Sequence, residues 1–250
     1  KRRMKILLVN DDGIRAKGLE VLARLASRLG EVWVVAPEEQ CSAMSHRITV
    51  RGKMRVKHVP FPVEGIQAYS VGGTPADCVK VALNHLLPEK PDYVFSGINR
   101  GFNAGIDILY SGTIGAAMEG LVNGIDAIAF SCADTDQFGA AEEYFFSIVQ
   151  KLMEERLPGN EIWNVNFPGC PSGQVKGILW ERRPARQGFY RDHYIKEDQP
   201  DGSFLLENAE IPDETAPEGT DMRALMDGYI SIGRIRNMIL TDAPGTDGEG

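Results

Sequence analysis

From Met4 to about Phe167, short β-branched runs alternate with segments of helical periodicity, and this alternation admits few folds. A run such as Ile6-Leu7-Leu8-Val9 is apolar at every position. It must be covered on both faces, as happens when the crossovers of βαβ units lie on the two sides of a parallel sheet. The expected strands are Lys5–Val9, Val32–Ala36, Gln67–Val71, Tyr93–Ser96, Ala127–Ser131 and Ile162–Phe167. Between them, Leu19, Leu22, Ala23, Leu25, Ala26 and Leu29 recur at three- and four-residue intervals, which predicts an amphipathic helix. Thr74-Pro75-Ala76-Asp77 has the form of a capping box with proline at the first helical position, so a helix is expected over Thr74–Leu87. Another is expected over Ala140–Glu155, stopped by Pro158-Gly159. The expected core is residues 4–168, an α/β fold whose mostly parallel sheet is flanked by helices.

After Pro168 proline, glycine and charge dominate, and an extension over 169–250 is expected to belong to the same domain. Its stretch from Arg182 to Leu206 lacks the periodicity of a separate core and reads as an extended arm or hairpin. Ten Asp and Glu against one Arg lie between Glu197 and Asp227. They read as a solvated surface, or as an arm or lid used in oligomerisation. Tyr229–Ile235 returns to alternation and is expected to add a last strand, while Lys1–Arg3 precede a natural start at Met4 and carry no fold information.

Charge narrows the partners. Across 250 residues, 27 Lys and Arg face 35 Asp and Glu, a net −8, which argues against a nucleic acid polymer because such ligands need a basic surface. A small anion in a local pocket stays open. Apolar runs fall well short of the roughly 20 residues that span a bilayer, so no membrane partner and a cytoplasmic location are expected. Cys41, Cys78, Cys132 and Cys170 are scattered and read as reduced thiols, and His46, His58, His85 and His193 show no zinc spacing. Any metal is then expected on oxygen.

Four segments carry candidate chemistry. Asn10-Asp11-Asp12-Gly13 follows the first strand, and ligands of open α/β sheets bind at strand carboxyl ends. Two adjacent carboxylates there repel unless a hard cation such as Mg²⁺ or Mn²⁺ lies between them, although the same residues also suit a plain Asx turn. Ser96-Gly97-Ile98-Asn99-Arg100-Gly101-Phe102-Asn103-Ala104-Gly105 offers glycines for close backbone approach and Asn99 and Asn103 for a metal or phosphate. Tyr110-Ser111-Gly112-Thr113 runs into a helix through small residues, so Ser111 and Thr113 either meet an anion at its N-terminus or only cap it. Ala36-Pro37 leads into a polar loop whose Ser42 can complete an oxygen set. Neither a Walker A sequence nor G-x-G-x-x-G is present. The coincidence of these segments at strand ends favours a metal-plus-phosphate site.

Taken together, Asn10-Asp11-Asp12-Gly13-Ile14, Ala36-Pro37 with Ser42 and Ile48-Thr49, Gly72-Gly73-Thr74-Pro75-Ala76-Asp77-Cys78, Ser96-Gly97-Ile98-Asn99-Arg100-Gly101 and Tyr110-Ser111-Gly112-Thr113 resemble the stationary-phase survival protein family, SurE. Glu218-Gly219-Thr220-Asp221 and Gly228-Tyr229-Ile230-Ser231 resemble its tail. The resemblance implies a Rossmann-like fold and a divalent-metal-dependent phosphatase of nucleoside 5′-monophosphates, often with some 3′-nucleotide or polyphosphate activity. Carried over by position, Asp11, Asp12, Ser42 and Asn99 are the implied ligands of one Mg²⁺ or Mn²⁺. Asn103, Ser111, Gly112 and Thr113 are implied at the phosphate. On mechanism, whichever of Asp11 and Asp12 is not fully engaged by the metal is the expected base for the attacking water. The resemblance also implies a homodimer or homotetramer that exchanges the arm. Two rivals stand beside it: a covalent aspartyl-phosphate enzyme, whose D-x-D-x-[TV] pattern this chain does not fit, and a nucleotide-sensing module that binds without turnover.

Overall fold

A computed structural model describes residues 2–240; Lys1 and the last ten residues of the expected extension, 241–250, lie outside the described residues. The chain runs β1 (Lys5–Val9), α1 (Lys17–Ala26), β2 (Glu31–Pro37), β3 (Val56–His58), β4 (Gln67–Val71), α2 (Pro75–Val81), β5 (Tyr93–Arg100), α3 (Gly112–Val122) and β6 (Asp126–Cys132). It continues through α4 (Gly139–Glu154), β7 (Glu161–Phe167), β8 (Ile178–Leu179), β9 (Tyr190–Arg191), β10 (Tyr194–Asp198), β11 (Phe204–Asn208), β12 (Ile211–Pro212), α5 (Asp221–Met226) and β13 (Ile230–Arg236).

Nine strands form one sheet in the order β3-β4-β2-β1-β5-β6-β7-β13-β8. The six from β4 to β7 are parallel, as the alternation of runs and helices requires. Strand order reverses between β1 and β5, so a crevice opens beyond their carboxyl ends. Both faces are covered: Ile6 and Leu8 pack in the core with α1 and α4, and Leu7 and Val9 in the core with α2 and α3. That double burial is why β1 is apolar at every position after Lys5. Among the described residues no helix is long and apolar enough to cross a membrane.

Several boundaries differ from expectation for identifiable reasons. The capping box of α2 is formed, with Asp77 N–H donating to Thr74 Oγ1 at 3.2 Å and Thr74 N–H to Asp77 Oδ2 at 2.9 Å. The helix then loosens into a π turn over Ala82–Leu86. Strand β3 was not expected, because Val56, Lys57 and His58 are all exposed on an antiparallel edge and carry no burial pattern. Strand β5 runs on to Arg100 instead of ending at Ser96, with its register on β6 shifting between Ser96 and Asn99. Gly97, read above as room for a ligand, has φ 141° and its missing side chain leaves space for the Phe130 carbonyl of β6. The return strand β13 pairs antiparallel with β7. The arm extends six residues beyond Leu206, to Pro212: β10 and β11 pair as a hairpin from Tyr194↔Asn208 to Asp198↔Phe204, with every residue exposed, and β12 returns onto β9.

Candidate active site

Asp11 and Asp12 follow β1 at the β1/β5 reversal, Asp12 lining the crevice and Asp11 buried. Asn10 closes the turn, its Nδ2 donating to the Gly13 carbonyl at 2.9 Å, and Gly13 takes φ 97°. The expected Asx turn is not formed, since Asn10 closes the turn through its amide nitrogen and its Oδ1 has no protein partner among the described residues, and the two aspartates are left for other partners. Asp11 is 6% exposed. Burial pushes its carboxyl from 3.8 up to about 6, the neighbouring Asp12 charge adds to the rise, and a 2.7 Å hydrogen bond from Thr113 Oγ1 opposes it. Asp12 is half-buried and lines the crevice. Burial raises its carboxyl too, against the Arg100 backbone N–H, which donates to Oδ2 at 3.0 Å, and the Arg100 guanidinium.

Helix α3 supplies the opposing wall. Ser111 is its N-cap, its Oγ accepting from Ile114 N–H at 3.1 Å. Gly112 backs directly onto the carboxylate: a side chain there would stand 2.9 Å from Asp11 Cβ and 3.1 Å from Pro75 Cγ. The positive end of an 11-residue helix thus lies against Asp11, where it favours negative charge, whether carboxylate or phosphate. Thr113 turns its hydroxyl proton to Asp11, so its first partner is the carboxylate.

Asn99 and Asn103 leave β5 on the same side. Asn99 Nδ2 donates to the Gly101 carbonyl at 2.8 Å, which leaves the amide oxygen as the group available to a cation. Asn103 is buried among asparagines. Its N–H donates to Asn166 Oδ1, its carbonyl accepts from Asn164 Nδ2 and Asn166 Nδ2, and its own Nδ2 donates to Ser131 Oγ at 2.7 Å. These partners were not anticipated. The available signal was the pair Asn164 and Asn166, two residues apart in a strand that is otherwise apolar after Glu161 and buried throughout.

Ser42 is exposed in the loop after β2 and accepts from Gln40 Nε2 at 3.0 Å. The loop that carries it is fastened at many points. Cys41 N–H donates to the Asp11 carbonyl at 2.7 Å, and Ser45 donates through N–H and Oγ to the carbonyls of Tyr110 and Leu109. Gly115 of α3 has no side chain where the Ser45 carbonyl passes. Two buried carboxylates complete the attachment. Glu119 of α3 meets His46 Nε2 at 2.8 Å, and Asp77 accepts from Thr49 N–H and Oγ1 at 2.9 and 2.7 Å. Burial works to raise both carboxyls, yet His46, Lys80 and Asn123 around Glu119, and Thr49 and Thr74 around Asp77, hold them below the ordinary range. Glu119 was missed as a site-supporting residue because its partner lies 73 residues away.

The C-terminal extension closes the far side of the β5 loop. Asp221, buried at the start of α5, accepts from Gly105 N–H and Ala185 N–H, both at 2.9 Å, and Ile106 N–H donates to the Gln187 carbonyl at 3.1 Å. Among the described residues no three His, Cys, Asp or Glu side chains converge on one point. The candidate oxygen set has only two carboxylates, with Ser42 and Asn99 as its other members.

The model of the family described as Survival protein SurE matches residues 6–189. The 5′-nucleotidase SurE of Clostridium botulinum (strain Loch Maree / Type A3) is 38% identical over 235 residues, covering 92% of this chain and 91% of that protein. The 5′-nucleotidase SurE of Thermoanaerobacter sp. (strain X514) is 40% identical over 232 residues, covering 92% and 90%. Among solved structures, the SurE protein from Aquifex aeolicus matches with a TM-score of 0.80 and 36% identity over 93% of both chains. A family match running from the first strand to the root of the arm, with relatives aligned over about nine-tenths of their length, establishes that the chain belongs to the SurE family.

Proposed function

We propose that this protein is a divalent-metal-dependent phosphohydrolase that releases phosphate from nucleoside 5′-monophosphates. The observation that carries the reading is the carboxylate pair at the sheet's reversal point, set against the N-terminus of α3. The names of the relatives, 5′-nucleotidases, support the substrate class.

The residues suit a hard cation. Asp11 and Asp12 bring two adjacent negative charges, and Asn99 has an amide oxygen whose partner nitrogen is already engaged. With Ser42 they form the oxygen set that Mg²⁺ or Mn²⁺ prefers. When bound, the ion supplies positive charge against the phosphoryl oxygens and acidifies water for in-line attack. Asp12 lines the crevice, and its Oδ1, which has no hydrogen bond within the protein among the described residues, is open to the ion; whichever of Asp11 and Asp12 the ion engages less takes the proton of the attacking water. Thr113 fixes Asp11 through Oδ1. Ser111, Gly112 and Asn103 shape the phosphate side, where the end of α3 stabilises the equatorial oxygens.

Phosphate release from the common 5′- and 3′-nucleotides and from tripolyphosphate, measured across a panel of divalent ions, tests the reading. Release that depends on Mg²⁺ or Mn²⁺ and favours 5′-monophosphates is expected. Binding of a nucleoside monophosphate in Mn²⁺ without any release would assign the pocket to nucleotide sensing instead.

Thr113→Ala gives a narrower check. The lost hydroxyl had been holding the Asp11 carboxyl down, so that carboxyl rises further and the acid limb of the pH profile moves to higher pH. Helix stability changes little, because Ser111 and not Thr113 is the cap. An unmoved acid limb with an earlier melt would show that Thr113 serves only the fold.

The exposed hairpin carries Tyr194, Ile195, Phe204, Leu205 and Leu206 without a core of its own. Apolar side chains in such a setting call for a partner surface, and a second copy of the chain, in a dimer or tetramer, is the partner proposed. Removing residues 194–208 is expected to yield a smaller species by light scattering. An intact protein that is already monomeric would refute the assignment.

A further inference from the structure

The crevice beside Asp12 opens into a cavity of about 780 Å³. Asp12 and Arg100 line it together with Phe102, Phe189 and Tyr190. The rings of Phe102 and Phe189 come from two segments, the loop after β5 and the root of the arm. Their centroids are 5.1 Å apart and their planes are inclined by 33°. Both rings pack on Ala104, Ala185, Met222 and Leu225, and both remain only half-buried, with surface left over on the cavity.

Backbone contacts set this pair in place. Ile106 N–H donates to the Gln187 carbonyl, Phe189 N–H reaches Asp107 Oδ2 at 3.4 Å, and Gly105 leaves room for the Gln187 carbonyl where a side chain would collide. Asp221 ties the two segments together from beneath. The aromatic surface is therefore held by the fold before any ligand arrives, which lowers the ordering cost of binding.

Charge indicates what kind of group occupies the cavity. Asp107, Asp134 and Asp136 line it together with Asp12, and its two cations are already paired, Arg100 with Asp134 at 2.5 Å and Lys17 with Glu20 at 2.8 Å. A chain of further phosphates would meet carboxylates there, whereas an uncharged heteroaromatic ring meets the aromatic surface that Phe102 and Phe189 leave uncovered.

We propose that Phe102 and Phe189 form the nucleobase platform of the site, so that a nucleoside monophosphate lies with its phosphate at the aspartate pair and its base stacked on the arm root. The inference rests on the nucleotidase reading and makes these two residues determinants of specificity. Base stacking on one aromatic ring is typically worth about tenfold to a hundredfold in affinity.

The test compares kcat/KM for adenosine 5′-monophosphate with that for ribose 5-phosphate, which has the same phosphate and sugar and no base. The intact protein is expected to favour the nucleotide by about tenfold or more. Phe102→Leu and Phe189→Leu keep an apolar packing group without a π face, and each is expected to reduce that ratio about tenfold, mainly through KM for the nucleotide. Phe189→Trp restores an aromatic face and should retain the ratio. Leucine variants that keep the full ratio, or that lose both substrates in equal measure, would overturn the platform. Release from both substrates by the intact protein with no preference for the base would also overturn the platform, and that alone. Release from neither would overturn the nucleotidase reading beneath it.

Discussion

Asp11→Asn is expected to cut metal-dependent phosphate release by about three orders of magnitude or more and, in the same protein without metal, to raise the melting temperature at pH 7.5. The two effects share one cause. Folding moves the Asp11 carboxyl from 3.8 up to about 6, so the folded chain holds that proton more tightly than the unfolded chain. The sign follows from linkage: the stability this gives is present at low pH and is lost as pH rises through that interval. Above it, the buried charge costs about 3 kcal/mol. Asparagine keeps the shape and an oxygen for the Thr113 hydroxyl, and it removes that cost. For a chain of this size the gain corresponds to about 5–10 °C at pH 7.5, disappearing below about pH 4, where both proteins carry a neutral group. Thermal scans at the two pH values in excess chelator, with activity measured in parallel, provide the check. A melting temperature that falls at pH 7.5 would show that the Asp11 charge is compensated inside the protein, and the argument for a cation at this point would fail.

Gly115→Ala is the second change with a large expected effect, although it lies on a helix and touches none of the proposed ligands. Alanine is the better helix former by about 1 kcal/mol, so an isolated α3 would gain. In the folded protein the new methyl group collides with the Ser45 carbonyl, and the loop from Cys41 to Thr49 must move away from α3. Ser42 travels with it. Activity at limiting metal is expected to fall about tenfold to a hundredfold, with part of the loss recovered at high metal concentration, as suits a displaced ligand. Titrating Mn²⁺ against phosphate release distinguishes this from general unfolding. A variant with the metal requirement of the parent and a lower melting temperature would mean that the loop does not deliver Ser42.

The parallel sheet was legible because its evidence is local and repeated. Both faces of β1 are buried, so each of its residues from Ile6 to Val9 declares itself apolar. Its carboxyl end could be located from the same run, and with it Asp11 and Asp12. Strand β3 could not be found that way, since an exposed three-residue edge strand has no face to bury. The glycines of the Ser96–Gly105 segment carried two meanings that composition does not separate. Gly97 accommodates a neighbouring strand, and Gly105 accommodates the Gln187 carbonyl, so neither needs a ligand to explain it. The least legible part of the site was its support. Glu119, Asp77, Asn164 and Asn166 act on residues distant in sequence, and only the folded sheet shows which loop each of them holds.

The bond from Gly105 to Asp221 spans 116 residues, and this sets an order of events during synthesis. When β7 has left the ribosome, all six parallel strands and both aspartates are present. The loop after β5 that carries Asn103 still lacks its far anchor, and the arm root that meets it through Gln187 and Phe189 has not yet been made. A chain ending before Asp221 would contain every proposed metal ligand while leaving the aromatic wall unfastened. Trimming between the arm and α5 would also remove β13, the antiparallel partner of β7, so the segment from Asp221 to Arg236 fastens both that side of the sheet and the aromatic wall beside the proposed site.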